Sequence, residues 1–155
     1  MAKRLWIETD YFEKFECKRS NCRRCCCSGW QISVTREEYF RLISMQCSQK
    51  LSDRIGTAFI SPPCPDDSCF RIISPNYLGN CPMLDDDGLC MIHKEKGPEM
   101  LSSLCRSYPR SLKEINGVLV ANCSNSCEAV IELLLKKDKI CFKTIELDAD
   151  PNIRE

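Results

Sequence analysis

The stretch CKRSNCRRCCCSGW, residues 17–30, holds five cysteines in fourteen positions, and three of them are consecutive. The whole chain has 155 residues and 14 cysteines, a share that is usual only in much shorter, disulfide-rich secreted domains. A chain of this length can bury a core large enough to fold without cross-links. The thiols therefore need an explanation other than covalent stabilisation.

The start of the chain bears on the redox state of these thiols. Residues 1–16 include Lys3 and Arg4, but no apolar segment and no small-residue cleavage site follows. No run approaches the roughly 18 apolar residues that a membrane span needs. The sequence therefore predicts a cytoplasmic protein without a membrane partner, in which thiols stay reduced. In that setting clustered cysteines indicate metal or redox chemistry.

The charges of the chain balance, with 22 basic and 22 acidic side chains. Nucleic-acid-binding domains usually have a clear basic excess. The one local basic segment, KRSNCRR at residues 18–24, is short and contains no aromatic residue. We therefore expect no nucleic-acid partner, and the oligomeric state stays open.

The pattern along the chain predicts short elements joined by long loops. Thr35 and Glu38 have the spacing of a capping box at the start of a helix, and Asn116-Gly117 is a favoured two-residue hairpin turn. The sequence predicts an α+β fold: a small, cysteine-rich and loop-rich single domain over residues 1–155, with short helices and short antiparallel strands around a metal or cluster centre. The predicted helices are 35–45, 47–58, 97–105 and 125–139, and the predicted strands are 30–34, 70–73, 112–120 (as a hairpin) and 140–147.

The cysteine spacing favours thiolate ligation but leaves the metal open. Cys22 and Cys26 are one turn apart and can reach one centre, whereas the adjacent Cys26 and Cys27 are expected to point in different directions. Four soft thiolates suit either zinc or an iron–sulfur cluster. The spacing is neither the paired C-x2-C of a zinc ribbon nor C-x3-C-x2-C. Spacing alone therefore does not separate zinc from iron.

Six motifs occur together in this chain and carry a family resemblance. They are Cys17-x4-Cys22-x3-Cys26-Cys27-x-Gly-Trp, FRII at 70–73, Cys81-Pro-x-Leu, GLCMIH around Cys90, CRSYPR around Cys105, and NSCEA around Cys127. Over residues 15–135 the chain resembles the N-terminal, cysteine-rich part of the flagellin lysine-N-methylase (FliB-like) family. More distantly, it resembles YkgJ-type cysteine-cluster proteins, a zinc- or iron-chelating type.

The resemblance implies a cofactor, a methyl donor and a substrate. The cofactor would be an iron–sulfur cluster, of the 4Fe–4S type, with zinc as the alternative. The methyl group would come from S-adenosylmethionine and would pass to lysine side chains of a flagellin-like protein substrate. The matching positions make eight cysteines the expected metal ligands: Cys17, Cys22, Cys26, Cys27, Cys81, Cys90, Cys105 and Cys127.

Three further residues are candidates for binding the methyl donor. Arg106, Tyr108 and Arg110 in CRSYPR could bind its carboxylate, or the arginines could offset the charge of a thiolate-rich centre; ordinary surface pairing is the competing interpretation. Asp85–Asp87 form a turn that is either solvated or a docking point for a substrate ammonium. The remaining cysteines are expected to be small buried packing residues: Cys25, Cys47, Cys64, Cys69, Cys123 and Cys141.

The sequence leaves the catalytic question open. It contains neither a glycine-rich nucleotide turn nor a nucleophile–histidine–acid arrangement, and no general base can be assigned. Two main functions from different classes remain, with a thiol redox sensor as a minor third. One is a protein-lysine methyltransferase that uses S-adenosylmethionine, and the other is a non-catalytic zinc or iron module for metal handling or protein docking.

Overall fold

The computed structural model describes residues 3–148 and places them in two compact units. One unit is Arg19–Ser107, and the other consists of Met1–Lys18 and Tyr108–Glu155, as far as these residues are described. Short helices and small sheets occur together, so the predicted α+β class is confirmed. The assignment of residues 1–155 to one domain stays a prediction.

The described residues form five α-helices and seven strands. The helices are α1 (Arg36–Ile43), α2 (Gln49–Ala58), α3 (Met91–Lys96), α4 (Ser103–Ser107) and α5 (Glu128–Leu135). The strands are β1 (Lys3–Thr9), β2 (Ile32–Val34), β3 (Phe59–Ile60), β4 (Arg71–Ile73), β5 (Arg110–Ile115), β6 (Val118–Cys123) and β7 (Phe142–Asp148).

In the unit Arg19–Ser107, strand β2 is followed by helix α1, whose N-terminus is capped. The Thr35 side chain accepts a hydrogen bond from the Glu38 amide, and the Glu38 carboxylate accepts one from the Thr35 amide. This is the capping box that the sequence predicts, and it satisfies two backbone donors that a helix start otherwise leaves unpaired. Ser48 caps α2 with a single bond, in which its side chain accepts from the Leu51 amide.

A single apolar cluster forms the core of this unit. The three-stranded antiparallel sheet has the order β2-β4-β3, and its inward side chains pack with α1 and α2. Val34, Leu42 and Leu51 are almost completely buried there. Four half-buried cysteines pack against the same cluster. They are Cys47, Cys81, Cys90 and Cys105.

The other unit is built on a four-stranded sheet with the order β5-β6-β1-β7. β5 and β6 form the expected hairpin, in which Asn116 (φ 51°) and Gly117 (φ 78°) both take positive φ, as a type I′ turn requires. β1 pairs parallel with β6 and antiparallel with β7. The core of this unit contains Tyr11, Phe15 and Val130, the last contributed by α5.

Several local predictions differ from the structure. The single helix expected over 97–105 is split, because Leu101 takes an extended conformation between a 3-10 turn at Pro98–Met100 and α4. The helix expected over 125–139 is only Glu128–Leu135, and Cys127 rather than Asn125 is its N-cap. β1 and α3 were not expected, and the parallel pairing of β1 with β6 adds to the antiparallel pairing that the sequence predicts.

Candidate metal centre

Three consecutive thiols form the middle of the candidate site. The sulfur atoms of Cys25, Cys26 and Cys27 all lie within 4.8 Å of one another. The Ser28 hydroxyl donates to the Cys25 carbonyl at 2.8 Å, and the Trp30 indole N–H donates to the Cys26 carbonyl at 2.7 Å. These bonds fold the loop back on itself. The expectation that Cys26 and Cys27 point in different directions is therefore wrong, because a tight turn replaces extended backbone here.

Two neighbouring loops bring further thiols to this turn. The Cys81 amide donates to the Cys27 carbonyl at 2.6 Å, and Ser28 and Asn80 form a β-bridge beside it. Cys90 is the N-cap of α3 and is held by a bridge between Leu84 and Cys90. The Cys25 thiol lies 3.8 Å from the Gly88 carbonyl in the turn between them. The sequence segments 25–30 and 79–90 thus form one thiol-lined surface.

Electrostatic interactions join these thiols and add Cys105 from α4. Burial is the main cause that raises the pKa values of Cys81 and Cys90, and neighbouring thiolates add to it: Cys90 acts on Cys81, and Cys25 and Cys26 act on both. The charges of Cys81, Cys90 and Cys26 act likewise on Cys105. These interactions place Cys81, Cys90 and Cys105 near the Cys25–Cys27 turn, whereas within the described residues only the sulfurs of Cys25, Cys26 and Cys27 form a group within 4.8 Å. We call these six cysteines the six-thiol cluster. The cluster consists of Cys25, Cys26, Cys27, Cys81, Cys90 and Cys105.

The protonation of the cluster is uneven. The Cys27 thiol donates to the Cys26 sulfur and lowers the pKa of Cys26 to about 6, while the same contact raises the pKa of Cys27. Burial raises the pKa values of Cys81 and Cys105 to about 11. None of the six thiols is in a disulfide. A bound cation would lower the pKa values of all its thiol ligands, and so would oppose the raised values and reinforce the lowered one of Cys26, because metal ligation requires and stabilises thiolates.

The chemistry of this donor set fits a soft metal centre. Six thiols within one unit exceed the four that zinc or an iron–sulfur cluster takes. Tetrahedral zinc with Zn–S bonds of about 2.3 Å places its sulfurs roughly 3.8 Å apart, and the sulfurs of Cys25, Cys26 and Cys27 lie within 4.8 Å of one another. These three thiols could therefore share one metal, and a fourth ligand would have to come from another cysteine.

Comparison with curated proteins identifies the family of this chain. A Lysine-N-methylase of Salmonella typhimurium (strain LT2) is 30% identical over 131 residues, which cover 83% of this chain and 32% of that protein. The Flagellar biosynthetic protein FliU of Salmonella muenchen is 30% identical over 129 residues, covering 83% of this chain and 75% of that protein. The chain belongs to the lysine-N-methylase/FliU family. This is the FliB-like family that the motifs resemble.

Membership in the lysine-N-methylase/FliU family comes with a difference in length. The chain spans about a third of the curated Lysine-N-methylases that it matches, including that of Salmonella choleraesuis (strain SC-B67) at 30% identity. No family model matches the chain, and no solved structure matches it. Across residues 3–148, the helices are all too short or too polar to cross a membrane.

Of the eight cysteines expected as ligands, the structure brings the sulfurs of Cys26 and Cys27 together, and three more lie near them. Cys26, Cys27, Cys81, Cys90 and Cys105 belong to the six-thiol cluster. Cys22 lies in the same unit, just after a 3-10 turn at Arg19–Asn21. Cys17 and Cys127 belong to the other unit. The metal-binding role of all eight stays a prediction.

Cys25 is the member of the cluster that sequence reasoning assigned to packing. The signal was present in the run of three cysteines, but the family resemblance does not include Cys25. The other cysteines that the sequence predicts to be buried differ in their exposure. Cys123 is buried as expected, whereas Cys64 and Cys141 are exposed, so burial was wrong for these two.

The candidate donor-binding residues lie in different surroundings. The Arg110 guanidinium donates to the Phe15 carbonyl and lies 5.2 Å from the centre of the Phe15 ring. The Tyr108 hydroxyl lies 3.0 Å from the Ser126 hydroxyl. Arg106 is exposed in α4. Their role toward S-adenosylmethionine stays a prediction.

The acidic turn Asp85–Asp87, between Cys81 and Cys90, forms several ion pairs. Asp85 pairs with Lys50 and Lys94, and Asp87 pairs with Lys94. The hydrogen bonds from these lysines hold the pKa of Asp85 far below its usual range. The turn also lines a cavity of about 710 Å³ that includes Cys81 and Gly88. The ion pairs make the turn a support for the Cys90 loop.

Proposed function

We propose that the unit Arg19–Ser107 binds a metal centre through thiolates of the six-thiol cluster. The observation that carries the proposal is the close group of the Cys25, Cys26 and Cys27 sulfurs, with Cys81, Cys90 and Cys105 near enough to interact electrostatically with it. Half-buried thiols packed against an apolar core suit ligation, because a low-dielectric surrounding strengthens metal–thiolate attraction. Cys25, Cys26 and Cys27 would supply the first ligands, and Cys81, Cys90 and Cys105 are the candidates to complete the set.

We infer that the centre is an iron–sulfur cluster of the 4Fe–4S type. The family resemblance supports this choice, and a surplus of thiols around a four-ligand cluster is compatible with it. When bound, such a cluster supplies one-electron or Lewis-acid chemistry. The chain's own contribution is to hold the sulfurs and to place N–H donors beside them, as the Cys27 amide does toward the Cys25 sulfur at 3.3 Å. Such donors tune a cluster's potential.

We propose that this chain takes part in methyl transfer from S-adenosylmethionine to lysine side chains of a flagellin-like protein. Relatives named Lysine-N-methylase and Flagellar biosynthetic protein FliU support a methylation-related role and a protein substrate. Arg106, Tyr108 and Arg110 are the candidates for binding the donor's carboxylate.

A zinc-binding, non-catalytic module is the second candidate. The observation in its favour is that the sulfurs of Cys25, Cys26 and Cys27 lie within 4.8 Å of one another, near enough for a single tetrahedral ion to bind all three. A module of this kind would serve metal handling or protein docking.

Metal analysis of Cys→Ser variants tests the metal proposal. The protein would be purified anaerobically, and iron, acid-labile sulfide and zinc would be measured per chain. We expect iron and sulfide in the wild type and a loss of most of both in Cys81→Ser. Cys64→Ser is the matched control, because Cys64 is an exposed cysteine of the same unit outside the cluster. Zinc without sulfide in a colourless protein would favour the second candidate, and full metal retention in Cys81→Ser would overturn both.

A methyl-transfer assay tests the enzymatic part separately. Radiolabelled S-adenosylmethionine and purified flagellin would be incubated with the metal-loaded protein, and label on lysine would be counted. Absence of label, together with no measurable affinity for S-adenosylmethionine, would remove the enzymatic proposal and leave the metal proposal standing.

A further inference from the structure

A second pocket lies in the unit that contains the four-stranded sheet. It has a volume of about 370 Å³, within the range of roughly 300–1,000 Å³ that small-molecule sites occupy. It is formed where β1 and β6 end and where β7 begins. The lining residues are Thr9, Tyr11, Asn122, Cys123, Ser124, Asn125, Ile140 and Phe142.

Strand register places three of these residues in a row on one face of the sheet. Thr9 pairs with Phe142 across the β1–β7 ladder. Because Glu8 pairs with Ala121 across the parallel β1–β6 ladder, the next residue, Asn122, lies beside Thr9. The carboxyl ends of parallel strands are a common position for ligand sites, since the loops that follow them enclose a crevice. The loops after β1 and β6 do so here.

One lining group is buried and lacks a partner. Thr9 is only 5% exposed, and its hydroxyl makes no hydrogen bond within the described part of the chain. A buried hydroxyl left unsatisfied costs free energy, and natural proteins rarely keep one without a reason. A ligand with a polar edge in this pocket would supply the missing bond.

The other residues that line the pocket indicate which chemical groups its ligand carries. None of the lining side chains carries a formal charge, so phosphate or carboxylate groups find no counter-ion here. Asn122 and Asn125 are exposed and offer amides, which present a donor and an acceptor side by side, the pattern that matches the edge of adenine. Phe142 is 66% exposed and Ile140 47% exposed, and an exposed ring at a pocket mouth is a stacking surface for a base.

We propose that this pocket binds the heteroaromatic base of an adenosine-type ligand, with Phe142 stacking on the ring and the Thr9 hydroxyl and the asparagine amides contacting its polar edge. Under the proposed function, on which this assignment of the ligand rests, the base is that of S-adenosylmethionine.

A hydrogen-bond network ties one predicted donor-binding residue to the same pocket. The Ser124 hydroxyl, which lines the pocket, lies 2.7 Å from the Ser126 hydroxyl, and that hydroxyl lies 3.0 Å from the Tyr108 hydroxyl. The Ser124 amide also donates to the Pro109 carbonyl at 2.7 Å. Tyr108 thus acts as a positioning residue for the loop 124–126.

Calorimetric titration of the full chain with adenosine, and separately with S-adenosylmethionine, tests the proposal. We expect Phe142→Ala to weaken adenosine binding about tenfold or more, since stacking on one aromatic side chain has about that effect. We expect Thr9→Val to weaken it about tenfold while leaving thermal stability unchanged or higher, because the variant removes an unsatisfied buried hydroxyl. Thr144→Val on the same face of β7 and Ile145→Ala on its opposite face are the matched controls, and both should bind as the wild type does.

The outcomes separate this proposal from the methyltransferase proposal. Adenosine binding that is absent, or equal in wild type, Thr9→Val and Phe142→Ala, overturns the pocket assignment. If S-adenosylmethionine binds but neither variant weakens it, the donor site lies elsewhere, and the pocket assignment fails while the methyltransferase proposal survives. If adenosine binding depends on Thr9 and Phe142 but S-adenosylmethionine does not bind, the pocket is supported and the proposed methyl donor is wrong.

Discussion

Glu38 shows how much one side chain contributes to positioning the thiol-bearing elements. It is buried, with 7% exposure. One carboxylate oxygen accepts from the Thr35 amide at 2.9 Å, and the other accepts from the Ser103 amide at 2.6 Å. The first bond caps α1, and the second fixes the start of α4, which bears Cys105. A single carboxylate therefore ties the helix that follows β2 to a ligand candidate 67 positions later in the chain.

Glu38→Gln should destabilise the protein, because the neutral amide has only one acceptor oxygen for two buried N–H donors. We expect a loss of about 1–3 kcal/mol in the free energy of unfolding, measured by urea denaturation at neutral pH. Glu37→Gln, an exposed neighbour in the same helical turn, should lose clearly less. Equal losses in the two variants would contradict the bridging role.

The same residue predicts a pH dependence. Burial raises the pKa of Glu38, but the Thr35 and Ser103 hydrogen bonds and the Arg41 charge outweigh it, so the pKa lies below its ordinary value. The stability it provides is therefore present above the unfolded pKa, about 4.3, and is lost as the pH falls through the folded pKa. Urea denaturation between pH 6 and pH 3 should show a shallower decline in Glu38→Gln than in wild type. Parallel declines would show that Glu38 is not the group being protonated.

At the residue scale the sequence was informative where chemistry is local. The spacing of Thr35 and Glu38 predicted the capping box, since both partners lie within one helical turn. The contact of Glu38 with Ser103 could not be predicted, because it joins segments 65 residues apart. For the same reason the run at residues 25–27 identified a thiol-rich site without indicating that Cys25 would join it.

Among the elements, the β5–β6 hairpin tests how far local turn chemistry determines the fold. Gly117 has φ of 78° in its turn, a region where a Cβ atom is strained whatever the surrounding space. Gly56, by contrast, lies inside α2, and a Cβ there would meet nothing within 4 Å. An added Cβ should therefore lower stability at Gly117 and raise it at Gly56.

Gly117→Ala should destabilise by about 1 kcal/mol, and Gly56→Ala should stabilise by about 0.5–1 kcal/mol. Thermal unfolding followed by circular dichroism measures both changes, and hydrogen exchange of β5 and β6 amides localises the first. A neutral Gly117→Ala variant would mean that the turn relaxes to another type at no cost.

The elements that could not be predicted from the sequence are mainly those that depend on distant partners or are very short. β1 has mixed polar and apolar residues, and its strand is completed by parallel pairing with β6 more than 100 positions away, which no local pattern records. α3 has six residues, too few for a helical period to be visible. The expected helix over 97–105 breaks at Leu101, whose extended backbone brings Ser103 to Glu38.

For the molecule as a whole, the six-thiol cluster belongs entirely to the unit Arg19–Ser107. Its loops have little regular structure between β4 and α3, so a bound metal would contribute much of their order. The sheet of the other unit has its own apolar core. The two units should therefore respond differently to metal removal.

Metal removal should increase amide exchange in the cluster loops and leave the four-stranded sheet protected. Structural metal sites contribute on the order of 10 kcal/mol to folding, so protection at residues 79–107 should fall by several orders of magnitude after anaerobic chelation. Hydrogen exchange read by mass spectrometry measures both regions in one sample. Exchange that rises equally in both units, or in neither, would contradict a structural role for the metal in this unit.

X-ray absorption at the metal edge tests most directly whether thiolates from separate loops surround one metal centre. On protein purified anaerobically, we expect a first shell of about four sulfur atoms near 2.3 Å, reduced in Cys81→Ser and Cys90→Ser and unchanged in Cys64→Ser. A first shell dominated by oxygen or nitrogen, or one that the Cys81 and Cys90 substitutions leave intact, would contradict it.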